Sequence, residues 1–215
     1  ALAARGVDVS MSYRRSRDAT EEAAARVRDA GRRALVTKAD IGDADAGRRL
    51  VDATAEQLGR LDVVINMASV YRRTPFDDLT DDAWNEPMAV DLAGTFHCAR
   101  AAVPHMRATG GGHIVNFSDW TAASGRPRYT GYVPYYVAKR AVIGLTEALA
   151  LELAPDRILV NAIAPGPIVP PADLDRAAVE EIERVTPLGR WGGADAIAAA
   201  VVGLLETDFV TGETI

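Results

Sequence analysis

Tyr135 and Lys139 stand four residues apart in Val133 to Leu153, a stretch whose apolar spacing predicts a helix, so their side chains share one face, a turn apart. That pairing suits acid chemistry. A phenol ordinarily titrates near pH ~10, and a neighbouring ammonium favours the phenolate, bringing the group closer to proton transfer at neutral pH. The ammonium can also hold a pair of ribose hydroxyls. On its own this spacing is commoner on a solvated helix face, and the surrounding motifs must decide between the two. No competing constellation is present. His97, His105 and His113 show neither triad nor metal spacing, and the single cysteine, Cys98, belongs to no CxxC or Cys/His cluster. No metal site is expected.

The elements that must position this pair follow from apolar patterning. Val63-Val64-Ile65, Ile114-Val115 with Phe117, and Ile158-Leu159-Val160 with Ile163 are short, continuous and rich in β-branched residues, as strands buried on both faces require. Between them, Ala44 to Gly59, Trp84 to Met106, Val133 to Leu153 and Asp195 to Leu205 have helical spacing. This alternation predicts an α/β fold, a doubly wound parallel sheet of Rossmann type, with ligands at the carboxyl ends of the strands. Gly110-Gly111-Gly112 is read as the loop feeding the strand at Ile114, because no helix follows it directly. Ala1 to Gly6 reads as the last turn of a helix capped by Gly6, with Val7 to Met11 and Val36 to Asp40 as strands. No strand and glycine-rich loop precede that turn, and Thr211 to Ile215 ends inside what reads as a final strand. The expectation is one domain over residues 1–215, incomplete at both ends.

Composition narrows the function classes. The 215 residues carry a net charge of -6 with 25% charged side chains, which lacks the basic footprint of nucleic-acid binding. No apolar run approaches the ~20 residues of a membrane span, and Ala1 to Asp8 has no signal-peptide core. A lone cysteine points to a reducing, cytoplasmic setting, and the expected partner is a small molecule.

With the elements placed, Asn66-Met67-Ala68-Ser69, Gly112-His113-Ile114-Val115-Asn116, Tyr135 to Lys139 and Pro165-Gly166 follow one another with a spacing that resembles the short-chain dehydrogenase/reductase family over nearly the whole chain. The resemblance implies a nicotinamide-dependent oxidoreductase in which Tyr135 donates the proton and Lys139 lowers its pKa and holds the ribose. It places Asn66, Ala68, Pro165 and Gly166 against the cofactor. Met67 and Ser69 depart from the family's commonest letters. Asp91 occupies the place where the family usually has an asparagine in a proton relay. An aspartate is tolerated there if the main-chain carbonyl holds the relay water, and weakens the relay if the side-chain amide is needed.

Within the family, Ser12-Tyr13-Arg14-Arg15-Ser16, Ala68-Ser69-Val70-Tyr71 with Thr74-Pro75, and Asn116-Phe117-Ser118-Asp119 resemble the pteridine reductases. Guanidinium and hydroxyl groups at Arg15 and Ser16, where an acidic residue would repel a 2′-phosphate, imply NADPH. Asp40 and Ile41 resemble the adenine-binding position. Asp119 replaces the family's serine; a carboxylic acid with a raised pKa could donate a proton, and an ionised one, which would repel a developing oxyanion, could accept from an N–H or amino group, which suits a C=N bond in a pterin-like heterocycle. Ser118, facing the other way on a strand, is the weaker candidate. Tyr71 falls where a pterin-stacking aromatic is found, with ordinary packing as the alternative. The implied activity is hydride transfer to a C=N or C=O carbon. A general carbonyl or 3-oxoacyl reductase, and a truncated non-catalytic copy, are the alternatives. The apolar circumference of Trp84 to Met106 and Val133 to Leu153 predicts a homo-oligomer, dimer or tetramer.

Overall fold

The computed structural model describes residues 1–125, 129–171 and 174–215. Five strands, β1 (Val9–Tyr13), β2 (Ala34–Lys38), β3 (Val63–Asn66), β4 (Gly112–Phe117) and β5 (Ile158–Ile163), alternate with helices and pair only in parallel. The helices are α1 (Arg17–Asp29), α2 (Ala44–Leu58), α3 (Asp81–Pro87), α4 (Gly94–Thr109), α5 (Trp120–Ala123), α6 (Val133–Leu153), α7 (Arg176–Val185) and α8 (Ala194–Leu205). This is the expected Rossmann-like α/β fold.

The strands form two sheets, β1-β2 and β3-β4-β5, and among the described residues no ladder joins β1 to β3. At the other side, Gly212 N–H donates to Val160 O (2.7 Å), Ala162 N–H to Glu213 O (2.8 Å) and Ala164 N–H to Ile215 O (2.7 Å), so the segment expected as a final strand lies alongside β5 but forms a single parallel bridge, Ala162–Thr214, rather than a strand. Successive strand residues serve opposite faces. Ile114, Ile158 and Val160 pack with Val51, Cys98, Ala102 and Met106, while Val115, Phe117 and Ile163 pack with Val201 and Leu204 of α8.

Three boundaries differ from expectation for local reasons. β1 starts at Val9 rather than Val7 because the Asp8 carboxylate is tied to Arg32 (2.7 Å) and Arg33 (2.7 Å), and the ladder begins one residue later. β2 ends at Lys38 rather than Asp40, since Asp40 turns the chain by accepting from Gly42 N–H at 3.2 Å. The helix expected over Trp84 to Met106 is α3 and α4 joined by a π turn, Met88–Ala93. Pro87 withdraws an N–H and presses on the preceding turn, and the helix widens immediately after it. Gly111 has φ 136°, and a Cβ there would lie 2.5 Å from Arg157 O, so only glycine lets the loop enter β4.

Candidate active site

The carboxyl ends of β3 and β4, together with α6, converge on one site. α6 has the boundaries the sequence predicts, and its Tyr135 and Lys139 face β4. The Tyr135 hydroxyl donates to Asp119 Oδ2 at 2.9 Å. Asp119 is held from the other side: as N-cap of α5, its Oδ1 accepts from Thr121 N–H (2.8 Å) and from the Thr121 hydroxyl (2.6 Å). Ser118 points the opposite way, buried, with its hydroxyl on Lys139 O at 2.9 Å. Of the two neighbours, Asp119 alone meets the tyrosine.

Lys139 is 3% exposed, and its ammonium donates to Phe117 O at 2.9 Å and pairs with Asp91 Oδ1 at 3.0 Å. Its Nζ lies 5.7 Å from the centre of the Tyr135 ring. The expectation that Lys139 lowers the Tyr135 pKa is corrected by this arrangement. Burial first, and then the Asp119 charge, push Tyr135 well above the ordinary phenol value, while the ammonium is already balanced by Asp91. Tyr135 is therefore a firmly protonated phenol.

Asp91 sits in the π turn, 1% exposed. Its main-chain carbonyl accepts the Thr95 hydroxyl at 2.7 Å, and its carboxylate accepts Ser69 Oγ (2.5 Å) and Val70 N–H (3.0 Å) in addition to Lys139. Beneath the site, Asn66 Nδ2 donates to Asn116 Oδ1 (2.9 Å) and Asn116 Nδ2 to Thr146 Oγ1 (2.9 Å), a buried polar chain joining β3, β4 and α6.

A cavity of about 230 Å³ opens above Tyr135. Five of the chain's six tyrosines, Tyr71, Tyr129, Tyr132, Tyr135 and Tyr136, line it together with Asp119 and Thr121. Tyr71 stacks on Tyr132 with centroids 4.7 Å apart and planes 20° apart, and meets Tyr135 edge-on at 5.0 Å. Burial and the Tyr132 hydroxyl raise the Tyr71 pKa too. Tyr132 and Tyr129 were not singled out in the sequence; the signal was the tyrosine cluster Tyr129, Tyr132, Tyr135, Tyr136 running into α6.

A second cleft, about 420 Å³, is lined by Ser12, Arg14, Arg15, Ser16, Thr20, Ser69, Val70 and Arg72, among others. Arg14 is committed to Asp40 (3.0 Å) and Glu86 (3.6 Å), and Arg72 to Glu86 (3.0 Å). Arg15 has no carboxylate partner among the described residues. Asp40 thus reaches this cleft through Arg14, and Ile41 packs against the core with its carbonyl beside Gly94. Ala68, Pro165 and Gly166 line neither cavity; the Pro165 carbonyl accepts from Trp120 N–H at 3.2 Å, which sets α5 beside the loop after β5. Among the described residues no cluster suited to a metal ion occurs, and no helix is long and apolar enough to cross a membrane.

A parallel α/β frame with a Tyr-x-x-x-Lys helix at its strand ends defines a class, the oxidoreductases built to work with a dinucleotide. A family model described as Enoyl-(Acyl carrier protein) reductase matches residues 1–215. Over 219 residues the chain is 33% identical to the Escherichia coli K12 protein named uncharacterized oxidoreductase YohF, covering all of this chain and 85% of that protein. It is 33% identical over 221 residues to the 3-oxoacyl-(acyl-carrier-protein) reductase FabG of Staphylococcus aureus, covering all of this chain and 87% of the relative. Among solved structures, the short-chain dehydrogenase/reductase from Serratia marcescens BCRC 10948 superposes with a TM-score of 0.91 at 31% identity, over all of this chain and 87% of that one. The chain belongs to the short-chain dehydrogenase/reductase family. These relatives carry oxidoreductase and oxoacyl reductase names, not pteridine reductase names.

Proposed function

We propose that this chain, as a single domain, is an NADPH-dependent reductase acting on a flat, N–H-bearing C=N compound of pteridine type, with Tyr135 as proton donor. The observation that carries the reading is the Asp119–Tyr135 contact at the floor of a tyrosine-walled cavity. A carboxylate has about four acceptor positions. Thr121 takes two on Oδ1 and Tyr135 one on Oδ2, which leaves a position on Oδ2 at the cavity wall. A ring N–H satisfies it; a ketone oxygen gathering negative charge is repelled. Stacked rings around it favour a planar guest.

The second cleft fits a dinucleotide at its ribose end. Arg15 and Ser16 offer donors to a 2′-phosphate, and Lys139, with two of its three ammonium protons committed, keeps one for a ribose hydroxyl. When bound, the nicotinamide supplies the hydride. Tyr135, kept protonated by burial and by Asp119, delivers the proton to the reduced nitrogen or oxygen. Exposed Val133, Val137 and Leu151 along α6 support association of copies through that helix.

A ketone substrate is the second reading, favoured by the relative named 3-oxoacyl-(acyl-carrier-protein) reductase. An NADPH-consumption panel with a dihydropteridine, a quinone and an acyl ketone separates the two. The pteridine-type reading expects the dihydropteridine to be turned over fastest, and Asp119→Ser to move the preference toward the ketone. Faster ketone reduction by the unaltered enzyme overturns it.

A further inference from the structure

We infer that Glu86 is a specificity-determining residue of the second cleft, an internal carboxylate that competes with a phosphate monoester for the guanidinium groups of Arg14 and Arg72. It thereby limits how strongly the cleft favours a 2′-phosphorylated dinucleotide. The inference deepens the proposed function and rests on its reading of this cleft as the ribose end of the cofactor site.

Four segments meet here. Arg14 comes from the loop after β1, Asp40 from the turn after β2, Arg72 from the loop after β3 and Glu86 from the last turn of α3. Their charges alternate along one chain: Arg14 Nε is 3.0 Å from Asp40 Oδ2, Arg14 Nη1 is 3.6 Å from Glu86 Oε1, and Arg72 Nη1 is 3.0 Å from Glu86 Oε2. Glu86 is the link between the two arginines. Its side chain is 25% exposed against 44% for Arg14 and 58% for Arg72, so the carboxylate lies beneath the cations rather than out in solvent. Arg15, in the same cleft, has no carboxylate partner among the described residues.

A phosphate monoester is close to doubly charged at neutral pH, and its oxygens take the same forked N–H donors that a carboxylate takes. Glu86 and an incoming phosphate therefore need the same groups. While Glu86 holds Arg14 and Arg72, the phosphate is left with Arg15 and Ser16 and meets a like charge nearby. Glu86→Gln keeps the shape and removes that charge. Arg72 then loses its partner and Nη1 of Arg14 is released, while Nε of Arg14 stays on Asp40. Ion pairs this exposed add little to folding stability, so the change is read in affinity rather than in Tm.

The test is titration of the full chain with NADP+ and NAD+ without substrate, followed by calorimetry and by the fluorescence of Trp84, two residues before Glu86. Glu86→Gln should tighten NADP+ about tenfold, the worth of a hydrogen bond between charged groups. NAD+ should tighten by less than about twofold, since charges farther from Glu86 are screened. In an Arg14→Gln/Arg72→Gln background the same substitution should change the NADP+ to NAD+ ratio by less than about twofold, because the groups it releases are gone. Should Glu86→Gln fail to fold, Glu86→Ala carries the same test. An unchanged ratio in Glu86→Gln, or a gain that persists undiminished without the two arginines, would overturn the inference. Arg15→Asp separates the two levels of the argument. If it weakens NADP+ selectively while Glu86→Gln does nothing, the role of Glu86 fails and the cofactor reading stands; if neither variant moves the ratio, the reading of the cleft fails as well.

Discussion

Removing the Asp119 charge should change how Tyr135 titrates, and the size of that change follows from the geometry. The phenol oxygen is 2.9 Å from Asp119 Oδ2. Were Tyr135 to ionise, two like charges about 3 Å apart at an effective dielectric of about 20 would repel by about 5 kcal/mol. The cavity is open to solvent, so screening leaves a smaller part of this, about 2 kcal/mol, equal to roughly thirty-fold in the phenolate population. Asp119→Ser removes the repulsion, and the Tyr135 pKa falls from its raised value toward the ordinary one. Reduction needs the protonated phenol, so activity is lost as pH rises through that pKa. The basic limb of the kcat/KM profile should therefore move to lower pH by more than about one pH unit in Asp119→Ser. Stability carries the same sign: a raised folded-state pKa contributes stability that is intact below about pH 10 and lost above it, and the loss should be shallower in the variant. The assay is the kcat/KM profile together with ultraviolet absorbance of the phenolate, compared between the two proteins. Superimposable profiles would show that Asp119 does not control Tyr135 and would remove the electrostatic basis of the proposed mechanism.

Tyr135→Phe should lose nearly all turnover and keep NADPH binding, checked by single-turnover kinetics and fluorescence titration; more than about a tenth of the rate remaining would exclude Tyr135 as the acid. Arg15→Asp should shift preference from NADPH toward NADH by reversing the charge in the second cleft, read as the ratio of kcat/KM values. Light scattering should give a dimer or tetramer, from pairing along the exposed apolar line of α6.

What was legible in the sequence was mostly periodic. The β-branched runs at Val63, Ile114 and Ile158 became three neighbouring parallel strands, and the Val133 to Leu153 spacing became α6 without adjustment. The Tyr135–Lys139 pair was legible because helical geometry fixes four-residue neighbours. Contacts between distant segments were not. Nothing in the periodicity brings Tyr71 onto Tyr132 or Asp91 onto Lys139; those depend on how the loop after β3 and the π turn settle against α6. The direction of the Tyr135 shift was misjudged for the same reason. A lysine one turn away is visible in the sequence, whereas the carboxylate that neutralises it comes from another helix. Strand limits moved by two residues at β1 and β2 because the side chains of Asp8 and Asp40, not apolarity, govern where the ladder starts and where the turn begins.

The π turn at Met88–Ala93 makes the site sensitive to length as well as to chemistry. A π turn amounts to one residue inserted into an α-helix, and each residue of helix rotates its successors by about 100°. Deleting a single residue between Met88 and Val90 would let the run close into regular α-helix and swing Asp91 about a quarter of the circumference away from Lys139, while α4 stayed docked against α2. A scan of single deletions and alanine insertions along Asp81–Thr109 would therefore show a narrow window of intolerance centred on the π turn.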